Sequence, residues 1–136
     1  MPSGGGDDDV ARVLAFKTIA VVGCSPKPER AGHYVPAYMQ ERGYKIVPVN
    51  PGHEEILGET CYPSLSAIPF PIDVVEVFRR SEDVPPVIDE AIAIKAKAVW
   101  LQSGITHPDA EEKARKAGLI VVSDRCMLVE RRACSA

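Results

Sequence analysis

The residues best suited to chemistry lie in four short loops. The first runs Gly23-Cys24-Ser25-Pro26-Lys27-Pro28-Glu29-Arg30-Ala31-Gly32, between an apolar run and a helical pattern. Backbone N–H groups and the dipole at a helix start favour an anion there. Ser25 adds a hydroxyl, and Lys27 and Arg30 add positive charge. That combination suits a phosphate. The spacing is neither G-x-G-x-x-G nor the Walker G-x-x-x-x-G-K-[ST]. The alternative is an ordinary loop whose basic side chains are solvated. Cys24 sits where a helix start and nearby cations lower a thiol's pKa, and so does Cys126 behind Asp124-Arg125. A cysteine is more commonly a small buried residue.

The other loops carry complementary groups. Val49-Asn50-Pro51 stands where a dinucleotide domain places Asp or Glu to hold the ribose. With Asn50 there, NAD is disfavoured and a phosphorylated ribose is not repelled; Asn50-Pro51 also reads as a plain turn. In Phe78-Arg79-Arg80, an aromatic ring suits an adenine face and guanidinium a phosphate. A solvated basic pair beside Glu82 and Asp83 is the competing reading. Gln102-Ser103-Gly104-Ile105 offers polar side chains and a glycine for close ligand approach. Trp100 reads as core. His33 and His107 read as helix-start residues, and His53 lies in a loop with Glu54 and Glu55. No Ser-His-Asp set, H-E-x-x-H or nucleophile elbow is present, so no catalytic residue is assigned. The cysteines and histidines have no metal-site spacing.

These loops need strands to hold them. Thr18–Gly23 is a short, β-branched, almost uncharged run stopped by glycine, as a strand buried on both faces is, and Lys45–Val49, Asp73–Phe78, Ala98–Leu101 and Leu119–Val122 read as the strands that follow. Helical spacing falls between them. It predicts helices from Asp7 to about Phe16, His33 to Arg42, Ser81 or Asp83 to Ile94, Thr106 or His107 to Gly118, and Arg125 to Arg132 with Asp124 as cap. Pro36 is placed in the first turn of its helix. Val35, Tyr38, Met39 and Arg42 share a face of that helix, and Ala110, Ala114 and Ala117 are expected to be buried in the fourth. Pro48 points to an irregular strand or one near an edge. Residues 50–71 read as connection with a short turn from Ser64. Strict alternation predicts a Rossmann-like α/β/α domain: a five-stranded parallel sheet, right-handed crossovers and helices on both faces. The expected strand order is 3-2-1-4-5, with a ligand at the carboxyl ends of strands one and four.

Composition sets the bounds. The 136 residues suit one domain, expected over 10–136 behind a flexible leader at 1–9. Net charge is −3, which argues against a nucleic-acid binder driven by bulk charge. No apolar run approaches the roughly 18 residues of a membrane span, and the first residues do not read as a secretory signal. The four cysteines form no C-x-x-C pair and read as free thiols in a reducing cytoplasm.

The segments Ile19–Ser25, His33–Pro36, Val47–Pro51, Val77–Arg79, Val99–Ile105 and Asp124–Cys126 occur in that order. In them the chain resembles the stand-alone CoA-binding proteins of bacteria and archaea, over about Thr18 to Arg132. That family is similar to the CoA-binding domain of the succinyl-CoA synthetase α subunit. The resemblance implies coenzyme A as ligand, held at its phosphates by the Gly23–Arg30 loop and His33. It implies that Asn50 and Pro51 line the nucleotide side, that Phe78 and Arg79 contact the cofactor, and that Gln102, Ser103 and Gly104 close the pocket. It also implies a binding module rather than an enzyme, since the synthetase's phosphohistidine belongs to another domain. A protein partner or a homo-oligomer is compatible with that role. Competing readings are an NAD(P)-type Rossmann enzyme, a thiol protein forming a mixed disulfide with CoA through Cys24 or Cys126, and an assembly module with a relic pocket.

Overall fold

A computed structural model describes residues 6–134. Five strands form one parallel sheet: β1 (Thr18–Val22), β2 (Lys45–Val49), β5 (Val74–Val77), β6 (Ala98–Leu101) and β7 (Ile120–Val122). Two short strands, β3 (Glu55–Ile56) and β4 (Glu59–Thr60), make a separate antiparallel hairpin. The helices are α1 (Asp7–Leu14), α2 (Ala31–Glu41), α3 (Val84–Ala93), α4 (Pro108–Lys116) and α5 (Met127–Ala133).

The main sheet runs β2-β1-β5-β6-β7. Counting only its own strands, the order is 2-1-3-4-5, which corrects the expected 3-2-1-4-5. The third strand lies between the first and the fourth, with Val21 opposite Glu76 and Glu76 opposite Trp100. Pro48 supplies a reason. It has no N–H to give a further neighbour, and β2 accordingly takes the sheet edge. The order reverses at β1, so the crevice opens between the ends of β1 and β5 rather than of strands one and four.

The period-2 alternation of the strands divides the core in two. Val47, Val49, Val75, Val77, Val99 and Leu101 pack under α3 and α4. Ile19, Val21, Ile46, Val74, Trp100 and Val122 pack under α1, α2 and α5. Trp100 is fully buried, and its indole N–H donates to the Arg125 carbonyl. Ala110 and Ala114 are buried as expected, but Ala117 is exposed because α4 has already ended at Lys116. Val35 and Met39 are buried on α2; Arg42 is exposed and stacks over the Tyr38 ring.

Two helix starts and the extent of the expected leader differ from expectation. Asp7–Asp9 already form the first turn of α1, while residues 1–5 of the expected leader lie outside the described residues. The second helix begins at Ala31, two residues early, so Pro36 falls inside α2 instead of in its first turn. At the last helix, Asp124 does not cap α5. It adopts φ 56° and its carboxylate accepts the Gly104 N–H, leaving Cys126 as N-cap. The hairpin within 50–71 was not foreseen, because its turn puts Leu57 at φ 58°, a conformation leucine rarely adopts. The Ser64 turn is present as a 3₁₀ segment, Leu65–Ala67.

Candidate functional site

The loop after β1 is tied to its neighbours on every side. Gly23 has φ 87°, and a Cβ there would lie 2.4 Å from the Phe78 carbonyl oxygen. Only glycine lets the β1 and β5 ends approach so closely. Gly32 is also crowded, since its Cβ would meet the Gly23 carbonyl at 2.8 Å. The Asn50 side chain donates to the Cys24 carbonyl at 2.7 Å, and His33 Nδ1 lies 2.7 Å from the Ser25 carbonyl. Ser25 Oγ accepts the Lys27 N–H. Asn50 and His33 thus tie adjacent carbonyls of the loop. The N–H groups of Ala31 and Gly32, at the start of α2, have no backbone acceptor among the described residues. Lys27 and Arg30 are exposed on the same loop.

A cavity of about 680 Å³ opens beside this loop on the carboxyl edge of the sheet. That is within the range of small-molecule sites. The start of α2 contributes Ala31 and Tyr34. The segment after β5 contributes Phe78, Arg79, Arg80, Ser81 and Glu82. The segment after β6 contributes Gln102, Ser103, Gly104 and Ile105, and Cys126 completes the wall. Arg80 is exposed and pairs with Glu82 and Asp83. Arg79 is half-buried and forms no ion pair among the described residues. The two guanidinium groups therefore differ: Arg80 is a solvated partner of its own loop, whereas Arg79 offers an uncompensated positive charge at the cavity.

The far wall is fixed by cross-loop hydrogen bonds. The Gly104 N–H donates to Asp124 Oδ1 at 2.7 Å, and the Met127 N–H donates to Gln102 Oε1 at 2.9 Å. Gln102 is itself buried. Cys126 sits between these two ties.

The thiols separate by environment. All four cysteines are free. Cys24 is fully buried; burial, with smaller contributions from nearby Cys61 and Glu76, pushes its thiol up to about 12. The lowering expected from the helix start and basic loop is therefore overridden by desolvation. Cys61 is buried and also raised by desolvation. Glu76, in the middle of β5, has no hydrogen-bond partner for either carboxylate oxygen among the described residues, and burial pushes it up to about 8.

Of the residues singled out in the sequence, the cavity gathers Phe78, Arg79, Gln102, Ser103 and Gly104. Gly23, Cys24, Ser25, Lys27, Arg30, His33, Asn50 and Pro51 do not line it; they belong to the adjoining loop and its supports. Sequence reasoning did not pick out Tyr34, whose helical spacing hides that it stands at the mouth of the cavity. Among the described residues, no three His, Cys, Asp or Glu side chains converge as a metal cluster. No helix there is long and apolar enough to cross a membrane.

The chain is 43% identical over 113 residues to YneT of Bacillus subtilis, a protein described as uncharacterized; the match covers 83% of this chain and 84% of YneT. Its structure superposes on that of a hypothetical protein from Pyrococcus horikoshii with a TM-score of 0.91 and 42% identity, covering 97% of this chain and 95% of the other. It is 27% identical over 126 residues to an ADP-forming acetate–CoA ligase of Archaeoglobus fulgidus. That match takes in 85% of this chain but only 18% of the ligase. Residues 17–132 match the family described as CoA binding domain, and the chain belongs to that family.

Proposed function

We propose that this protein binds coenzyme A or an acyl-CoA in the cytoplasm as a non-catalytic carrier, sensor or regulatory module. The observation that carries the reading is the uncompensated Arg79 at a cavity beside the open N–H groups of α2. Cations and a helix start together suit the phosphates of a nucleotide. Lys27 and Arg30 are within the adjoining loop and supply further charge toward the same end of the molecule. Asn50, engaged with the Cys24 carbonyl, presents no carboxylate to a phosphorylated ribose. Family membership supports the ligand class. The non-catalytic role is supported by the small share of the ligase that the chain matches.

Titration calorimetry on ligand-free protein with CoA, dephospho-CoA and NAD tests this. CoA binding most tightly, with dephospho-CoA at least ten-fold weaker, is the expected result. Tight NAD binding with weak CoA binding would replace the reading with a dinucleotide enzyme.

A further inference from the structure

Glu76 is an ionisable group that the binding role leaves unexplained. Side chains alternate along β5, so Glu76 shares a face with Val74 and Phe78. Phe78 lines the cavity, and Glu76 lies one pleat inward, about 7 Å along the strand. The neighbouring strand repeats the pattern. Trp100 is paired with Glu76 and stands two residues before Gln102, which also lines the cavity. Glu76 therefore belongs to the layer beneath the cavity floor. The start of α2 closes over Phe78, since a Cβ on Gly32 would stand 3.7 Å from Phe78 Cγ.

Glu76 is fully buried, and neither carboxylate oxygen has a hydrogen-bond partner among the described residues. On its face of the sheet, β1 presents Val21, β6 presents Trp100, α2 presents Val35 and Met39, and α5 presents Met127. The titratable side chains buried in that core are Cys24, Cys61 and Tyr44, with Tyr38, Cys126 and Cys134 at its margin. None of these is a cation. A negative charge on Glu76 would thus be uncompensated, and an anion bound above it would add repulsion.

We propose that Glu76 couples ligand binding to a proton: an anionic ligand above it keeps the carboxyl neutral, and ionisation of the carboxyl weakens the ligand. The inference rests on the phosphate-bearing ligand of the proposed function. Burial pushes Glu76 up to about 8 in the folded chain. A bound anion raises it further. Binding near pH 8 then takes up part of a proton from solvent, and affinity falls as pH rises through that range. Below about pH 7 the carboxyl keeps its proton with or without ligand, and the coupling vanishes.

Calorimetry at pH 8 in buffers of different ionisation enthalpy counts the protons, with desulfo-CoA as probe so that no ligand thiol titrates. The expected uptake is about 0.3–0.5 proton per site in wild type and none in Glu76→Gln. From pH 7 to 9, with the fold followed by circular dichroism, wild-type Kd should rise roughly three- to ten-fold, and that of Glu76→Gln should stay level. Carboxyl-carbon NMR of labelled wild type reads the group directly, and its titration midpoint should rise when desulfo-CoA is added. Equal uptake in both proteins, or a Glu76 midpoint that desulfo-CoA does not move, would overturn the inference. Desulfo-CoA binding to wild type without proton uptake rejects the coupling alone. No binding to either protein at pH 7 rejects the CoA reading and the coupling with it.

Discussion

The Gly32 carbonyl accepts the backbone N–H of Ser25 at 3.1 Å. Within a helix that carbonyl would accept from the residue four positions on, which is Pro36 and has no N–H. The proline inside α2 thus frees an acceptor that closes the loop after β1. Pro36→Ala supplies a competing donor. Hydrogen exchange at Ser25 should accelerate by roughly ten-fold, in line with the net worth of one hydrogen bond, and CoA affinity should fall. Unchanged exchange at Ser25 would show that the loop closes without this bond.

Gly23 faces the Phe78 carbonyl across the crevice. Gly23→Ala adds a methyl where the gap is 2.4 Å and a side chain where φ is 87°. The β1 and β5 ends must separate or the backbone must strain, at a cost of about 1–3 kcal/mol or more. Urea denaturation should show that loss, and Gly43→Ala, at φ 92° with open space around it, should cost less.

Glu76 makes stability depend on pH. Burial disfavours its charged form and pushes its pKa from the ordinary 4.5 up to about 8 in the folded state. Between those values the folded state keeps a proton that the unfolded state has lost. Stability is greatest below about pH 4.5 from this group, and falls as pH rises toward 8, by about 1.4 kcal/mol per unit at most. Cys24 adds a similar loss only above pH 9.0. Glu76→Gln should flatten the slope of urea-derived stability between pH 5 and 8. A slope equal to that of wild type would mean that Glu76 titrates normally.

Arg79 offers its charge to the cavity unpaired, whereas Arg80 is matched by Glu82 and Asp83. Arg79→Ala should weaken CoA by about 10- to 100-fold, the loss of a charged hydrogen bond at roughly 1.5–3 kcal/mol. Arg80→Ala should change affinity by less than about three-fold, as for an exposed ion pair. Calorimetry with CoA and dephospho-CoA compares them; an equal loss for both ligands on Arg79→Ala would put Arg79 at the diphosphate that both carry instead of the 3′-phosphate, and no loss for either would deny it a phosphate-reading role.

The strands were legible because runs such as Thr18–Val22 and Ala98–Leu101 are short and uncharged. His107 and Pro108 marked the start of α4: the His107 ring accepts the Ala110 N–H and Pro108 takes the first helical position. Strand order was less legible, since pairing is long-range and alternation alone fits several orders. Pro48 carried the missing information, because its edge preference conflicts with a strand packed on both sides. At the site, residue type pointed to Arg79 and Gln102 but not to how their neighbours are spent. Asn50 is consumed by the Cys24 carbonyl and His33 by Ser25, partnerships across 26 and eight residues that no local pattern reveals. Cys24 showed the same limit: charge nearby was visible in the sequence, and the burial that outweighs it was not.

The connection between β2 and β5 also has a bearing on solubility. Tyr62 donates to the Pro48 carbonyl and accepts from the Asn50 N–H, while Lys45 stacks over the Phe70 ring. This stretch therefore lies along the outer border of the sheet as a guard rail. Shortening it would leave the β2 backbone free to recruit the same border of another molecule, and the chain would lose its protection against runaway strand-to-strand assembly.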